Sequence, residues 1–142
     1  MATKQQLSGM QGVYLVAAEL SRRGFIVSPT SRGAAGADLL VTDQKYKRAF
    51  SIQVKTNKKN YGFWLVGKKA KEISSNSHIY VLVNIKKDGE QIEYYVVPSK
   101  VIAQNMELSN GNWDNFYFSD AKEAEYYRDR WKLFGDPGDE SV

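Results

Sequence analysis

The segment His78-Ile79-Tyr80-Val81-Leu82-Val83-Asn84-Ile85 is apolar at nearly every position. A strand with one face in water alternates apolar and polar residues, whereas a continuous run of β-branched and aromatic residues reads as a strand covered on both faces. The rest of the chain must then supply a layer on each side of it. Residues 7–23 read as an amphipathic helix, with Leu7, Met10, Tyr14, Ala17, Ala18 and, less regularly, Leu15 near helical spacing. Arg22 and Arg23 suit its end, and Gly24 stops it. Short strands follow at Phe25–Ser28, 37–43 and 49–56, with an extended piece at Tyr61–Val66 and a helical turn or two at Lys68–Ser74. This order predicts an α/β (α+β) fold: a central mixed β-sheet flanked by helices, in three layers.

The second half is more conventional. Lys86-Lys87-Asp88-Gly89-Glu90 supplies an Asp-Gly hairpin turn, answered by a strand at Glu93–Val97. Pro98 ends that strand, and Ser99 is expected to cap a helix over 99–108. A loop covers 109–113. The last helix is expected from Ser119 or Asp120 to about Phe134, stopped by Gly135-Asp136-Pro137-Gly138. Trp113, Tyr117, Trp131 and Phe134 read as packing of the C-terminal layer, and the apolar last helix is also a candidate interface. A chain of 142 residues predicts one domain, residues 1–135, with a disordered tail at 136–142.

Three exclusions follow from composition. There is no cysteine, so disulfides and thiolate metal sites are out. No long apolar run follows the N-terminus, so neither a signal peptide nor a membrane span is expected, and a cytoplasmic location is. No Walker-type loop or dinucleotide fingerprint is present. The net charge is +4, and much of it is concentrated between Lys45 and Lys71, while the chain after Glu107 is acidic on balance. A basic patch of this kind suits a phosphate backbone, although a solvated lysine-rich surface has the same composition.

The chemistry concentrates in two strand-like segments, Ala37–Thr42 and Phe50–Thr56. Alternate side chains of a strand share a face, so Gln53 and Lys55 point the same way. If the two segments pair as a hairpin, Asp38 joins them. A carboxylate, an amide oxygen and an ammonium then converge at one sheet edge. Such a set suits a hard cation beside a phosphate. The bland alternatives are a turn aspartate bonding its own backbone and an exposed strand lysine.

The surrounding residues, Gly12, Gly24, Gly36-Ala37-Asp38 and Ile52-Gln53-Val54-Lys55-Thr56, carry a resemblance over about residues 9–85. The chain resembles the PD-(D/E)xK nuclease superfamily, in particular its small stand-alone members similar to restriction endonucleases and archaeal Holliday junction resolvases. The resemblance implies a restriction endonuclease-like core with Gly12 opening the first helix. It implies Mg2+ or Mn2+ held by Asp38, Gln53 and the carbonyl of Val54, with Lys55 positioning the attacking water. It also implies DNA as substrate and a homodimer as the assembly. Two departures stand out. Ala37 replaces the proline of the motif, and Gln53 replaces its second acid. Members with glutamine there often carry a glutamate on the first helix, where this chain has Val13; Glu19 lies roughly 240° further round the helix.

Arg32, Lys58, Lys59, Lys68 and Lys69 are candidate phosphate contacts. Thr56 and Asn57 are weaker candidates at the end of the strand. Tyr61, Phe63 and Trp64 could stack on bases, but aromatic residues in a strand are more often core. His78, the single histidine, reads as structural. Two functions fit: a metal-dependent DNA endonuclease with a degenerate Asp…Gln-x-Lys site, or a catalytically inactive module of nuclease fold that binds nucleic acid or a protein.

Overall fold

Thr3 starts the first helix. Its Oγ1 accepts from the Gln6 N–H at 3.1 Å, and Gln6 Oε1 accepts from the Thr3 N–H at 2.9 Å, a reciprocal capping box. Helix α1 therefore runs Lys4–Arg22, longer than its apolar periodicity indicates, because its first turn is polar. The computed structural model describes residues 1–31, 37–59, 62–109 and 113–138. After α1 come β1 (Ile26–Pro29), β2 (Leu39–Thr42), β3 (Ala49–Asn57) and β4 (Trp64–Leu65). A 3-10 turn, Lys68–Lys71, leads to β5 (His78–Lys86) and β6 (Gln91–Pro98). Then follow α2 (Ser99–Asn105), β7 (Glu107–Ser109), β8 (Trp113–Phe116), α3 (Ala121–Tyr127) and a 3-10 turn at Trp131–Phe134.

The main sheet has the order β1-β2-β3-β5-β6, with β3 and β5 parallel and the other neighbours antiparallel. Strand β5 lies in it as expected, buried on both faces along most of its length. On one face Val16 and Leu20 of α1 pack with Leu39, Val41, Ile52, Val81 and Val83. On the other, Tyr80, Leu82 and Val97 pack beneath Ile102 and Met106, together with Trp64 and Phe116 from a smaller sheet, β4-β8-β7. This is the predicted mixed sheet between two layers.

Several local expectations are corrected. Gly12 lies in the middle of α1 rather than opening it. A Cβ there would overlap Thr56 Oγ1, so the missing side chain is what lets the helix approach β3 this closely. Ser99 is the first residue of α2 and does not cap it. Its hydroxyl donates to the Ser75 carbonyl at 2.9 Å and accepts the Ser75 N–H at 3.0 Å. Residues 107–109 and 113–116 form paired strands where a helix end and a loop were expected.

The last helix is broken. Arg128 bridges to Tyr95, Asp129 takes a φ of 51°, and its N–H donates to the Tyr94 carbonyl at 2.9 Å. Trp131 and Phe134 consequently enter the α1 side of the core against Phe25, Phe50 and Tyr94. They are not available as an interface. Of the tail 136–142, Asp136–Gly138 lie on the 44–48 loop: the Gln44 N–H donates to the Pro137 carbonyl at 2.8 Å, and Arg48 donates to the Asp136 carbonyl at 3.3 Å. Residues 139–142 are outside the described residues. No helix among the described residues is long and apolar enough to cross a membrane.

Candidate active site

Strand register brings the motif together. Leu39 faces Ile52 across β2 and β3, and the Asp38 N–H donates to the Ile52 carbonyl at 2.7 Å. One step further along, Asp38 stands opposite Gln53, on the same face of the sheet. Its Oδ2 accepts the Val54 N–H at 2.8 Å and Gln53 Nε2 at 3.2 Å. The Val54 N–H and C=O leave a strand on the same side, and β2 has ended at Leu39. The Val54 carbonyl thus leaves β3 on the side of the Asp38 carboxylate and has no ladder partner among the described residues. Asp38 is fixed from behind as well: Thr30 donates its N–H to the Asp38 carbonyl at 3.0 Å and its hydroxyl to the Ala37 carbonyl at 2.7 Å. Sequence reasoning missed Thr30, because a threonine after a proline looks like any turn residue.

Lys55 follows on the Gln53 face. Burial pushes its ammonium below the usual lysine range, and the Asp38 charge pulls part of the way back. Among the described residues it makes no hydrogen bond or ion pair. It lines two hollows, both also bordered by Gln53. One is an open cleft of about 1150 Å³ between the N-terminal half of α1 (Met10, Val13, Tyr14), the end of β1 and the Asp38–Gln53 pair. The other, about 350 Å³, lies beside Gly67–Ala70, with Lys68 and Lys69 at its rim. A desolvated, unpaired cation in a cleft is an anion-binding candidate.

The remaining expectations divide. Lys58, Lys59, Lys68 and Lys69 are exposed, and none is in an ion pair among the described residues. Lys58 and Lys59 extend from the end of β3. Arg32 and Tyr61 lie outside the described residues. Trp64 is core, with Nε1 donating to the Val83 carbonyl at 3.3 Å, so it offers no stacking surface. Asn57 ties its own loop, donating to the Phe63 carbonyl at 2.8 Å. The Thr56 hydroxyl is buried against Gly12 and has no hydrogen-bond partner among the described residues. His78 is buried beside Tyr80, with Nδ1 2.6 Å from Ser51 Oγ and burial lowering its pKa. Val13 does line the cleft, and Glu19 is turned away into ion pairs with Arg22 and Arg23. No group of three or more His, Cys, Asp or Glu able to hold a metal occurs among the described residues.

Neither a protein-family model nor a curated protein matches the chain. Solved structures do. A bacterial homing endonuclease, I-Ssp6803I, superposes with a TM-score of 0.58 at 16% identity, covering 94% of this chain and 91% of its own. Hjc, a Holliday junction resolvase from the hyperthermophilic archaeon Archaeoglobus fulgidus, gives 0.53 at 15% identity, covering 83% and 88%. At such identities the likeness is one of fold. The chain shares the fold of these two proteins, the restriction endonuclease-like core expected from the sequence.

Proposed function

We propose that this protein is a metal-dependent endonuclease that hydrolyses phosphodiester bonds of DNA at the Asp38–Gln53–Lys55 cluster. The observation that carries the reading is the convergence of these three side chains, with the Val54 carbonyl, at the mouth of one cleft in a nuclease fold. The donors fit a hard divalent cation in kind: the Asp38 carboxylate, the Gln53 amide oxygen and the Val54 carbonyl are all oxygens, as Mg2+ or Mn2+ requires. They supply a single negative charge, so affinity for the ion is expected to be weak. Such an ion, when bound, supplies Lewis acidity toward a phosphoryl oxygen.

The chain's own residues do the rest. Lys55, stripped of much of its hydration, holds the phosphate and offsets charge that develops on it. The Val54 N–H fixes the Asp38 carboxylate in place. Lys58, Lys59, Lys68 and Lys69 hold the backbone on either side. A cytoplasmic location accords with this reading. A homodimer would have to use surfaces other than Trp131 and Phe134, and sedimentation at micromolar concentration reads its presence.

The test is cleavage of plasmid, single-stranded and four-way-junction DNA with Mn2+, wild type beside Lys55→Ala. Cutting by the wild type that falls at least about a hundredfold in the variant is expected. A second reading, a binding module of nuclease fold without catalysis, is favoured by Asp38 being the one carboxylate among the described residues that line the site. It predicts DNA binding with no cutting, and no Mg2+ or Mn2+ uptake at millimolar concentration by calorimetry.

A further inference from the structure

Helix α1 carries an apolar stripe that none of the described residues covers. Leu7, Met10 and Tyr14 follow one another at helical spacing and are 54%, 49% and 61% exposed. Met10 and Tyr14 also line the cleft that contains Asp38 and Lys55, so the stripe continues the candidate active site outward. No acidic residue occurs from Met1 to Ala18, and the first one, Glu19, is already paired with two arginines. Among the described residues, the cleft thus combines the unpaired Lys55 with apolar and aromatic surface, and Asp38 is the one carboxylate in its lining.

Phosphates gain nothing from a leucine, a methionine and a tyrosine, and a paired duplex keeps its base faces stacked inside. Unpaired bases present apolar π-faces that do gain from such a surface. A second copy of this chain is a poor match. The three side chains expose roughly 350 Å² together, against about 800 Å² per partner in a stable interface. From these observations we infer that the Leu7–Met10–Tyr14 face receives unpaired bases of a nucleic-acid strand whose backbone runs past Lys55. The substrate class is then DNA with single-stranded or splayed segments rather than continuous duplex. The inference rests on the nuclease-fold reading of the cleft and specifies what enters it.

The test is fluorescence anisotropy, in buffer free of divalent ions, with three labelled probes: an oligothymidylate, an abasic strand of equal length and a blunt duplex. The wild type is expected to bind oligothymidylate at least about tenfold more tightly than the abasic strand. Tyr14→Ser should abolish that preference and Tyr14→Phe should keep it, while duplex binding, which is largely electrostatic, changes less than about twofold. Tyr14 is exposed, so the variants retain the fold, which circular dichroism checks. Equal binding of the thymidylate and abasic strands by the wild type overturns the inference and leaves the nuclease reading standing. So does a stable dimer that Tyr14→Ser converts to monomer. Absence of binding to all three probes overturns both.

Discussion

Replacing Gln53 by glutamate tests the architecture of the site more directly than removing a residue. In the native chain Gln53 Nε2 donates to Asp38 Oδ2 at 3.2 Å, and the Val54 N–H donates to the same oxygen at 2.8 Å. Gln53→Glu removes the first of these, a hydrogen bond to a charged acceptor that contributes ~1.5–3 kcal/mol. It also sets two carboxylates side by side. At about 6 Å, with an effective dielectric constant of 20–40 for a half-open cleft, their repulsion is ~1–3 kcal/mol. The metal-free variant should therefore be less stable than wild type by about 3 kcal/mol at neutral pH, a fall in Tm of roughly 6–12 °C for a chain of this size.

The sign with pH follows. Like-charge repulsion raises the folded pKa of one carboxyl of the pair above its unfolded value. The variant is then penalised least where that carboxyl is protonated, and loses stability as pH rises through the raised pKa. Thermal unfolding followed by circular dichroism, near pH 5 and pH 7.5, with and without 10 mM MgCl2 (about the level a weak site requires), reads all of this. The deficit should appear at pH 7.5 without metal, shrink at pH 5, and be reversed by Mg2+ more strongly in the variant than in wild type. Equal stability of variant and wild type at pH 7.5 without metal would refute the Asp38–Gln53 pairing. A variant deficit untouched by Mg2+ would refute the oxygen-ligand reading of the same atoms.

Two further predictions concern the scaffold that holds the site. Gly12→Ala puts a methyl where Thr56 Oγ1 stands; overpacking of ~1–3 kcal/mol, less about 1 kcal/mol gained in helix propensity, should lower the urea midpoint, and Thr56→Ala in that background should recover part of the loss. An unchanged midpoint in Gly12→Ala would show that α1 does not need this close approach to β3. Asp43 organises the 43–48 loop by accepting the N–H groups of Lys45 at 2.8 Å, Lys47 at 3.1 Å and Arg48 at 2.7 Å. Burial alone would raise its pKa, but the amides of Arg48, Lys47 and Lys45 outweigh that and hold it below the usual carboxylate range. Its contribution is therefore present above the ordinary carboxylate pKa and lost as pH falls through the depressed one. Asp43→Ala should unfold earlier than wild type at pH 7, and the two should converge in acid; a gap that persists undiminished at low pH would assign the effect to packing instead.

The parts of the fold legible in the sequence are those whose signal is local and continuous. The β5 run reads as a doubly covered strand, and two short apolar segments separated by a polar turn made a hairpin of β2 and β3 the arrangement to consider. That register alone puts Asp38 opposite Gln53, so this juxtaposition was legible from the two segments. What escaped notice depends on distant partners. Strands β4, β7 and β8 are two to four residues long, too short for a period to register, and exist because each finds a neighbour across the second sheet. The periodicity from Ala124 to Phe134 is helical throughout, yet the chain breaks at Arg128 and Asp129. There Tyr94 and Tyr95 offer backbone partners, and the buried Glu93 draws in the Arg128 guanidinium at 3.5 Å. Tertiary contacts outweigh a propensity worth only tenths of a kcal/mol per residue. Thr30 was missed for the same reason, since its partners lie seven and eight residues away across a turn.

The amide at position 53 gives the site a character that its missing charge alone does not convey. A second carboxylate would repel Asp38 until a cation arrived, so the two ligands would be held in place only by the ion. Glutamine donates to Asp38 instead, and with the Val54 N–H it holds one carboxylate oxygen in position before anything binds. The other oxygen, Oδ1, takes no hydrogen bond among the described residues. Preorganisation thus offsets part of what is lost in charge, because no ligand repulsion has to be overcome on binding. The charges of Asp38 and Lys55 balance at the centre, so on the proposed reading Lys55 acts on the reacting phosphate while longer-range attraction of the backbone comes from the exposed lysines around it. On the proposed reading, backbone binding by the exposed lysines and metal binding by Asp38 and Gln53 rest on different residues, so each is expected to be removable while the other remains.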